Sequence, residues 1–353
     1  MAAVPDSVGF CRLADGARVA YASRGSGSPL VMVPGWLCHL EQSWRHPAAA
    51  SARAKLAAAH RFVWYDRLGC GLSDRDGFEP SLDNDVEQLA AVLDATGIRR
   101  ANLIGYSFGV PPAAQFAARY PDRVHRLVFY SGFARGSSMM PAESLEAVTQ
   151  LIRADWQMAS QLLATRLLPN ASSKDLRWYT AFQRVAADAE MAARLLAHTW
   201  SLDVRDALGE IRAPTLVAHN RDDLAIPVTA GEEIAALVPG AELHLFDGNE
   251  HDPFIRDAGS VVEAILDFVA GRPVRPSPVP SRPEIDLTPR EREVLRQIAS
   301  GATNDQIAAT LGIAVKTVER HVTNVYRKIG AGGRADATRF AVAMELVAPT
   351  AAP

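Results

Sequence analysis

The chain has 353 residues, a length that suits two or three domains of roughly 100–200 residues each. Its 48% hydrophobic and 22% charged residues are globular proportions, which excludes a disordered or low-complexity polymer. No apolar run approaches the roughly 18 residues that a membrane span needs, so no membrane partner is expected. The formal charge of −3 divides unevenly, with +4 from Arg272 onward and −7 before it, a mildly basic tail on an acidic body that suits a nucleic-acid contact at one end, though so small an excess does not by itself establish one.

The N-terminus, MAAVPDSVGFCRLADG, lacks the basic start and long apolar core of a signal peptide, so a cytoplasmic location is expected. Cys11, Cys38 and Cys70 show no CxxC spacing, and neither a disulfide framework nor a zinc site is expected. Cys38 is read as a small buried hydrophobe. In chain order, the apolar runs Leu30–Val33, Phe62–Tyr65, Ala101–Ile104, Arg126–Tyr130, Thr215–Ala218 and Glu242–Phe246 read as buried strands. Helical patterns such as Asp83–Thr96 and Pro111–Tyr120 lie between them. That alternation predicts an α/β domain with a mostly parallel sheet and helices on both faces. Residues 134–208 break the rhythm. They are mostly helical, carry Trp156, Trp178, Tyr179, Phe182 and Trp200, and are expected to form a helical cap. Most of its aromatics and methionines should form the cap's own core, with some facing a cleft.

Leu-Ile-Gly-Tyr-Ser-Phe-Gly at 103–109 places Ser107 in a G-x-S-x-G turn between strand and helix. The helix start behind it aims N–H groups at any developing oxyanion. Serine is a weak nucleophile and needs an imidazole base, which in turn needs a carboxylate to orient it. Asp223 stands four residues before Pro227 at the end of a strand and is the preferred acid, with Asp222 as the alternative. His251 follows the last strand in a loop. His244 lies within that strand and His219 sits too near the acid's own strand end, so His251 is the expected base. The oxyanion hole is assigned to the N–H groups of Trp36 and Phe108. No metal and no organic cofactor are called for.

With the order Ser107, Asp223, His251, and with D-x-x-G-x-G-x-S-D at 66–74, residues 8–270 resemble the α/β-hydrolase superfamily. VMVPGWLCHLEQSWRHP at 31–47 is particularly similar to such domains fused to regulatory modules. The resemblance implies an α/β-hydrolase fold over residues 1–271. Two departures are Glu250 before the histidine and Val110 after Gly109, both positions where the family commonly has glycine.

Residues 272–284 carry five prolines and read as an extended, semi-stiff linker. Behind it, residues 285–353 should form an all-α four-helix domain. Thr288-Pro289-Arg290-Glu291 and Thr303-Asn304-Asp305-Gln306 are capping boxes opening two helices. Gly312 ends the second. A third helix, about Val315 to Ile329, places Val318, Val322, Val325 and Ile329 on one stripe, and a fourth runs from about Arg334 to Val347. Residues 285–347 closely resemble the LuxR-type (GerE-type) helix-turn-helix family. The resemblance implies that the third helix enters the major groove of double-stranded DNA and that the protein acts as a homodimer. Outside the apolar stripe stand Lys316, Thr317, Glu319, Arg320, Thr323, Asn324 and Arg327. Arg320 is suited to guanine and Glu319 to cytosine N4, while Lys316, Thr317 and Arg327 are placed for phosphate. His321 is read as a packed or capping side chain. Glu319 stands where relatives often have a cation, and Ala314 where they commonly have a capping serine.

Together these readings predict a DNA-binding transcription regulator. Its hydrolase domain would sense, and by its triad also cleave, a small ester, lactone or related carbonyl ligand. The alternative is a working serine esterase or lactonase with a DNA-binding tail.

Overall fold

Eight strands make one sheet in the order β1-β2-β4-β3-β5-β6-β7-β8. The computed structural model describes residues 7–255, 258–274, 287–329 and 333–343. The chain divides into two compact units, Met1–Ser277 and Pro278–Pro353. Of the predicted linker, 272–284, residues 275–284 lie outside the described residues.

In the first unit β1 (Ser7–Arg12) and β2 (Arg18–Arg24) are antiparallel, and β2 also pairs antiparallel with β4 (Arg61–Tyr65). The remaining pairs are parallel and use β3 (Pro29–Val33), β5 (Ala101–Tyr106), β6 (Val124–Tyr130), β7 (Thr215–Asn220) and β8 (Glu242–Phe246). The central strands read as unbroken apolar runs because both of their faces are covered. Val31, Val33, Leu103 and Leu127 point to one core and Leu30, Ile104, Val128 and Leu216 to the other. The first core lies under α3 (Leu82–Ala95) and α4 (Val110–Arg119). The second lies under α2 (Pro47–Ala59), which follows the short α1 (Leu40–Ser43). The sequence reading lacked β1 and β2: β1 is largely exposed, and β2 buries Val19, Ala20 and Ala22 without a regular alternation.

Between β6 and β7 the chain forms the cap: α5 (Ala142–Ala154), α6 (Trp156–Leu167), α7 (Ser173–Ala186), α8 (Ala189–Ser201) and a short α9 (Arg205–Gly209). Asp155, Ser172 and Asp188 cap three of these helices by accepting the N–H groups of Met158, Asp175 and Met191. Met139, Met191 and Leu195 build the cap's core, while Met158 is exposed. A buried charge cluster ties cap to body. Asp85 of α3 accepts two bonds from Arg67, at 2.9 and 3.0 Å, and lies 3.1 Å from His198 Nε2 on α8. After β7 come α10 (Val228–Leu237) and, beyond β8, α11 (Gly259–Val269).

Asp66, in the loop after β4, is buried and accepts the N–H groups of Leu40 and Leu72 at 3.1 and 2.9 Å. Burial outweighs these donors and pushes its carboxyl up to about 7. The folded state therefore holds this proton at pH values where the unfolded chain has lost it. Its contribution is full at acid pH and is lost as pH rises towards 7, at a slope of at most about 1.4 kcal/mol per pH unit. Asp66→Asn is expected to flatten that slope between about pH 4 and 7. Denaturant midpoints across this range check it, and an unchanged slope contradicts it.

The second unit contains α12 (Pro289–Ala299), α13 (Asn304–Leu311), α14 (Val315–Ile329) and α15 (Arg334–Ala343). Both capping boxes form, and Gly312 adopts the left-handed conformation, φ 63°, that closes α13. Val294, Leu295, Ile298, Ile307, Val318 and Val325 are buried in its core. Val322 and Ile329, expected to be buried with them, are only half-buried at the edge of that core. Glu291 also ion-pairs with Lys328 at 2.7 Å, so one capping carboxylate links α12 to the end of α14. The predicted extension of the fourth helix to Val347 lies outside the described residues.

Candidate functional site

The end of β5 turns sharply into α4 at Ser107, whose φ of 52° is unusual for a side chain other than glycine. Such a conformation costs about 1–3 kcal/mol and persists only where the surroundings enforce it. Gly109 is part of the enforcement. A Cβ there would drive into the Val33 and Pro34 carbonyls, so only glycine lets the turn sit against β3. Ser107 is thereby held at the C-terminal edge of the sheet.

The structure brings Ser107, His251 and Asp223 into one hydrogen-bonded row. His251 Nε2 lies 2.7 Å from Ser107 Oγ, and His251 Nδ1 lies 2.8 Å from Asp223 Oδ2. All three side chains are buried. Asp223 Oδ1 accepts the N–H groups of Ala225 and Ile226 at 2.8 and 3.1 Å, which fixes the carboxylate's orientation. Burial alone would raise its pKa, but the His251 ring and the Ile226 N–H hold it below the usual carboxylate range. Asp222 is exposed, and its backbone N–H donates to the Gly248 carbonyl at 3.0 Å. His244 packs against Phe246 with ring centroids 4.6 Å apart. His219 is buried, bonded through Nε2 to the Ile226 carbonyl at 2.9 Å, and stands 3.7 Å from Asp223.

Two of the contacts that hold the histidine loop flank the base itself. The Asn220 amide donates to the Glu250 carbonyl, and the His251 N–H donates to the Leu167 carbonyl at 3.0 Å. The second comes from the end of cap helix α6, so the base is positioned partly by the cap. Side-chain patterns carry no signal for that backbone bond.

Trp36 and Phe108 both line the cleft beside Ser107, with rings 6.2 Å apart, and the Trp36 indole donates to the Ala192 carbonyl of α8 at 3.3 Å. The cleft encloses about 110 Å³. Trp178, Tyr179 and Phe182 of α7 form its roof, whereas Trp156 and Trp200 pack inside the cap. The sequence reading missed Arg53, Tyr106 and Asp252, which also line it. Arg53 sits in an alanine-rich helix that offers no motif. Cys38, expected as a small buried hydrophobe, packs against the core cluster beside Trp36 and Cys70 but is only half-buried in the cleft wall, where its Sγ accepts the Arg67 N–H at 3.2 Å.

On α14, Lys316, Thr317, Glu319, Arg320, Thr323 and Arg327 are exposed and Asn324 is half-buried. The Thr323 hydroxyl donates to the Glu319 carbonyl at 2.9 Å. His321 is half-buried. The exposed side of α14 thus carries three cations and one carboxylate among these positions, a surface suited to a phosphate backbone.

Comparison with known proteins accords with both units. The family described as alpha/beta hydrolase fold matches residues 28–258, and that described as bacterial regulatory proteins, luxR family, matches residues 286–341. The 2-hydroxymuconate semialdehyde hydrolase of Pseudomonas sp. (strain CF600) is 31% identical over 274 residues, spanning 73% of this chain and 92% of the relative. The 2-hydroxy-6-oxo-2,4-heptadienoate hydrolase of Pseudomonas putida is 28% identical over 290 residues, spanning 76% and 99%. Among solved structures, the bromoperoxidase from Bacillus anthracis has a TM-score of 0.68 at 20% identity, over 75% of this chain and 100% of that one, a likeness of fold. The chain belongs to the α/β-hydrolase fold family and joins its hydrolase domain to a C-terminal luxR-family regulatory domain.

Proposed function

We propose that this protein is a cytoplasmic transcription regulator whose hydrolase domain binds and cleaves a small ester, lactone or related carbonyl compound. The observation that carries the reading is the row of hydrogen bonds from Asp223 through His251 to Ser107, at 2.8 and 2.7 Å, opening on an enclosed cleft. Ser107 Oγ attacks the carbonyl carbon and gives its proton to His251 Nε2. Asp223 stabilises the imidazolium through Nδ1–H. The N–H groups of Trp36 and Phe108 receive the oxyanion. His251 then protonates the leaving group, and a water repeats the sequence to release the acid. Cleavage would empty the cleft and reset the sensor.

The luxR-family domain supports DNA as the second partner, read through α14 by a homodimer on paired half-sites. Arg320→Ala is expected to weaken binding to the specific site by about 1–3 kcal/mol and to relax the preference for one base pair. Competition binding on a set of point-substituted sites measures it. An equal loss on every sequence would make Arg320 a phosphate contact instead.

Fluorophosphonate labelling of the purified full chain tests the hydrolase reading. A serine activated by His251 is labelled at Ser107. A folded protein that takes up no label contradicts it.

A further inference from the structure

Arg53 is a cation in the cleft that the triad does not use. It lies half-buried on α2, whose buried residues are Ala49, Ala50, Ala52, Leu56 and Ala57. Its side chain lines the cleft. Nη1 donates to the carbonyls of Ser43 and Ala49 at 3.4 and 3.3 Å, long contacts to neutral acceptors. Nε is buried and has no partner. A guanidinium keeps its charge, carries five donors and cannot accept, so a buried N–H without an acceptor is costly. Trp64 Nε1 of β4, in the wall of the same cleft, is a second buried donor without a partner. Two donor-only groups cannot satisfy each other. Both require an acceptor.

Among the described residues no carboxylate oxygen hydrogen-bonds Arg53 Nε. Asp252 faces the cleft and accepts the Phe254 N–H at 2.9 Å; it acts on Arg53 through space without a hydrogen bond to it, and burial pushes its carboxyl above the usual range. Asp66 is engaged through Oδ2 by the Leu40 and Leu72 N–H groups. Its Oδ1 is unpaired in the same wall that leaves Arg53 Nε unpaired, so that donor and that acceptor do not meet.

We propose that Arg53 forms an anion subsite in the cleft, and that the ligand carries a carboxylate on the acyl side of its scissile bond. The carboxylate accepts from Arg53 Nε, and Trp64 Nε1–H lies in the same wall as a neutral donor to it. The ligand is then anchored at one end by charge and presented at its carbonyl to Ser107. This deepens the reading of the cleft as a ligand site and requires binding rather than turnover.

The test uses matched p-nitrophenyl esters. The mono-esters of succinate, glutarate and adipate carry a free terminal carboxylate, and butyrate, valerate and hexanoate are their neutral counterparts. The full chain is expected to favour at least one acid over its counterpart by roughly 10–100-fold in kcat/KM, the range for a hydrogen bond to a charged group. Arg53→Leu should collapse that ratio towards one, and Arg53→Lys should keep part of it. In parallel, calorimetry on the Ser107→Ala protein measures binding of the same acids without cleavage. Acid-selective binding there, lost on adding Arg53→Leu, supports the subsite even if no ester is turned over. In that case the hydrolytic reading fails alone. Equal binding of acids and neutral esters by Ser107→Ala, at every chain length, overturns the subsite whether or not the wild-type protein cleaves them.

Discussion

Ser107→Ala is expected to lower ester turnover by about 10⁴-fold or more and to abolish fluorophosphonate labelling, while the fold is retained. The size of the effect follows from geometry. Ser107 Oγ is the atom that His251 Nε2 approaches at 2.7 Å, and His251 is in turn committed to Asp223. Removing the nucleophile leaves the base with nothing to activate. The residual rate would come from the oxyanion donors and from binding alone. Because the three residues act as a unit, His251→Ala added to Ser107→Ala should cost little more. Steady-state assays of the single and double variants measure this. Unchanged turnover in Ser107→Ala would remove this serine from the chemistry. The strained φ of 52° makes a second expectation of the same variant: alanine keeps the same backbone demand, so stability should change little.

Asp223→Asn should cost about 10⁴-fold in kcat with the cleft intact. The carboxylate accepts three hydrogen bonds, from Ala225, Ile226 and His251. An asparagine can keep its oxygen on the two backbone N–H groups, which preserves the loop. Its amide then points NH₂ at His251 Nδ1 and turns that nitrogen into an acceptor. The proton is forced onto Nε2, where it blocks acceptance from Ser107. KM should move far less than kcat, since Asp223 does not touch the ligand. Rates measured at several pH values separate a lost base from a lost fold. Retention of most of the activity in a folded Asp223→Asn protein would mean that another group, with His219 at 3.7 Å from Asp223 the nearest alternative base, carries the proton.

The legible parts of this molecule are those where local pattern and tertiary role coincide. The strand runs Leu30–Val33 and Ala101–Ile104 are buried on both faces, so apolarity alone marks them. Thr288 and Thr303 announce their helices because a capping box is satisfied within four residues. Gly105-x-Ser107-x-Gly109 is visible for the same reason, since the tight turn needs those glycines wherever it occurs. What stays hidden depends on contacts distant in sequence. β1 is the edge strand, where Val8 and Phe10 remain exposed and no hydrophobic alternation is enforced, and β2 is held by pairing with both β1 and the distant β4. The Arg67–Asp85–His198 cluster joins three segments that no spacing rule connects. Arg53 looks like a solvated residue of an alanine-rich helix until the fold turns that helix face inward. Val322 and Ile329 are half-buried because, among the described residues, their stripe runs along the edge of a small four-helix core.

The central claim is that occupancy of the hydrolase cleft changes DNA binding. The direct measurement is the Kd of the full chain for a duplex selected from a random pool, with Ser107 free and with Ser107 carrying a phosphonate. The Ser107→Ala protein, treated identically, controls for the reagent. Coupling of about 1–3 kcal/mol, a 5- to 150-fold shift in Kd on phosphonylation and none in the control, is the predicted result. An identical Kd in both states, with labelling complete, would contradict the sensor and leave a hydrolase that is merely tethered to DNA.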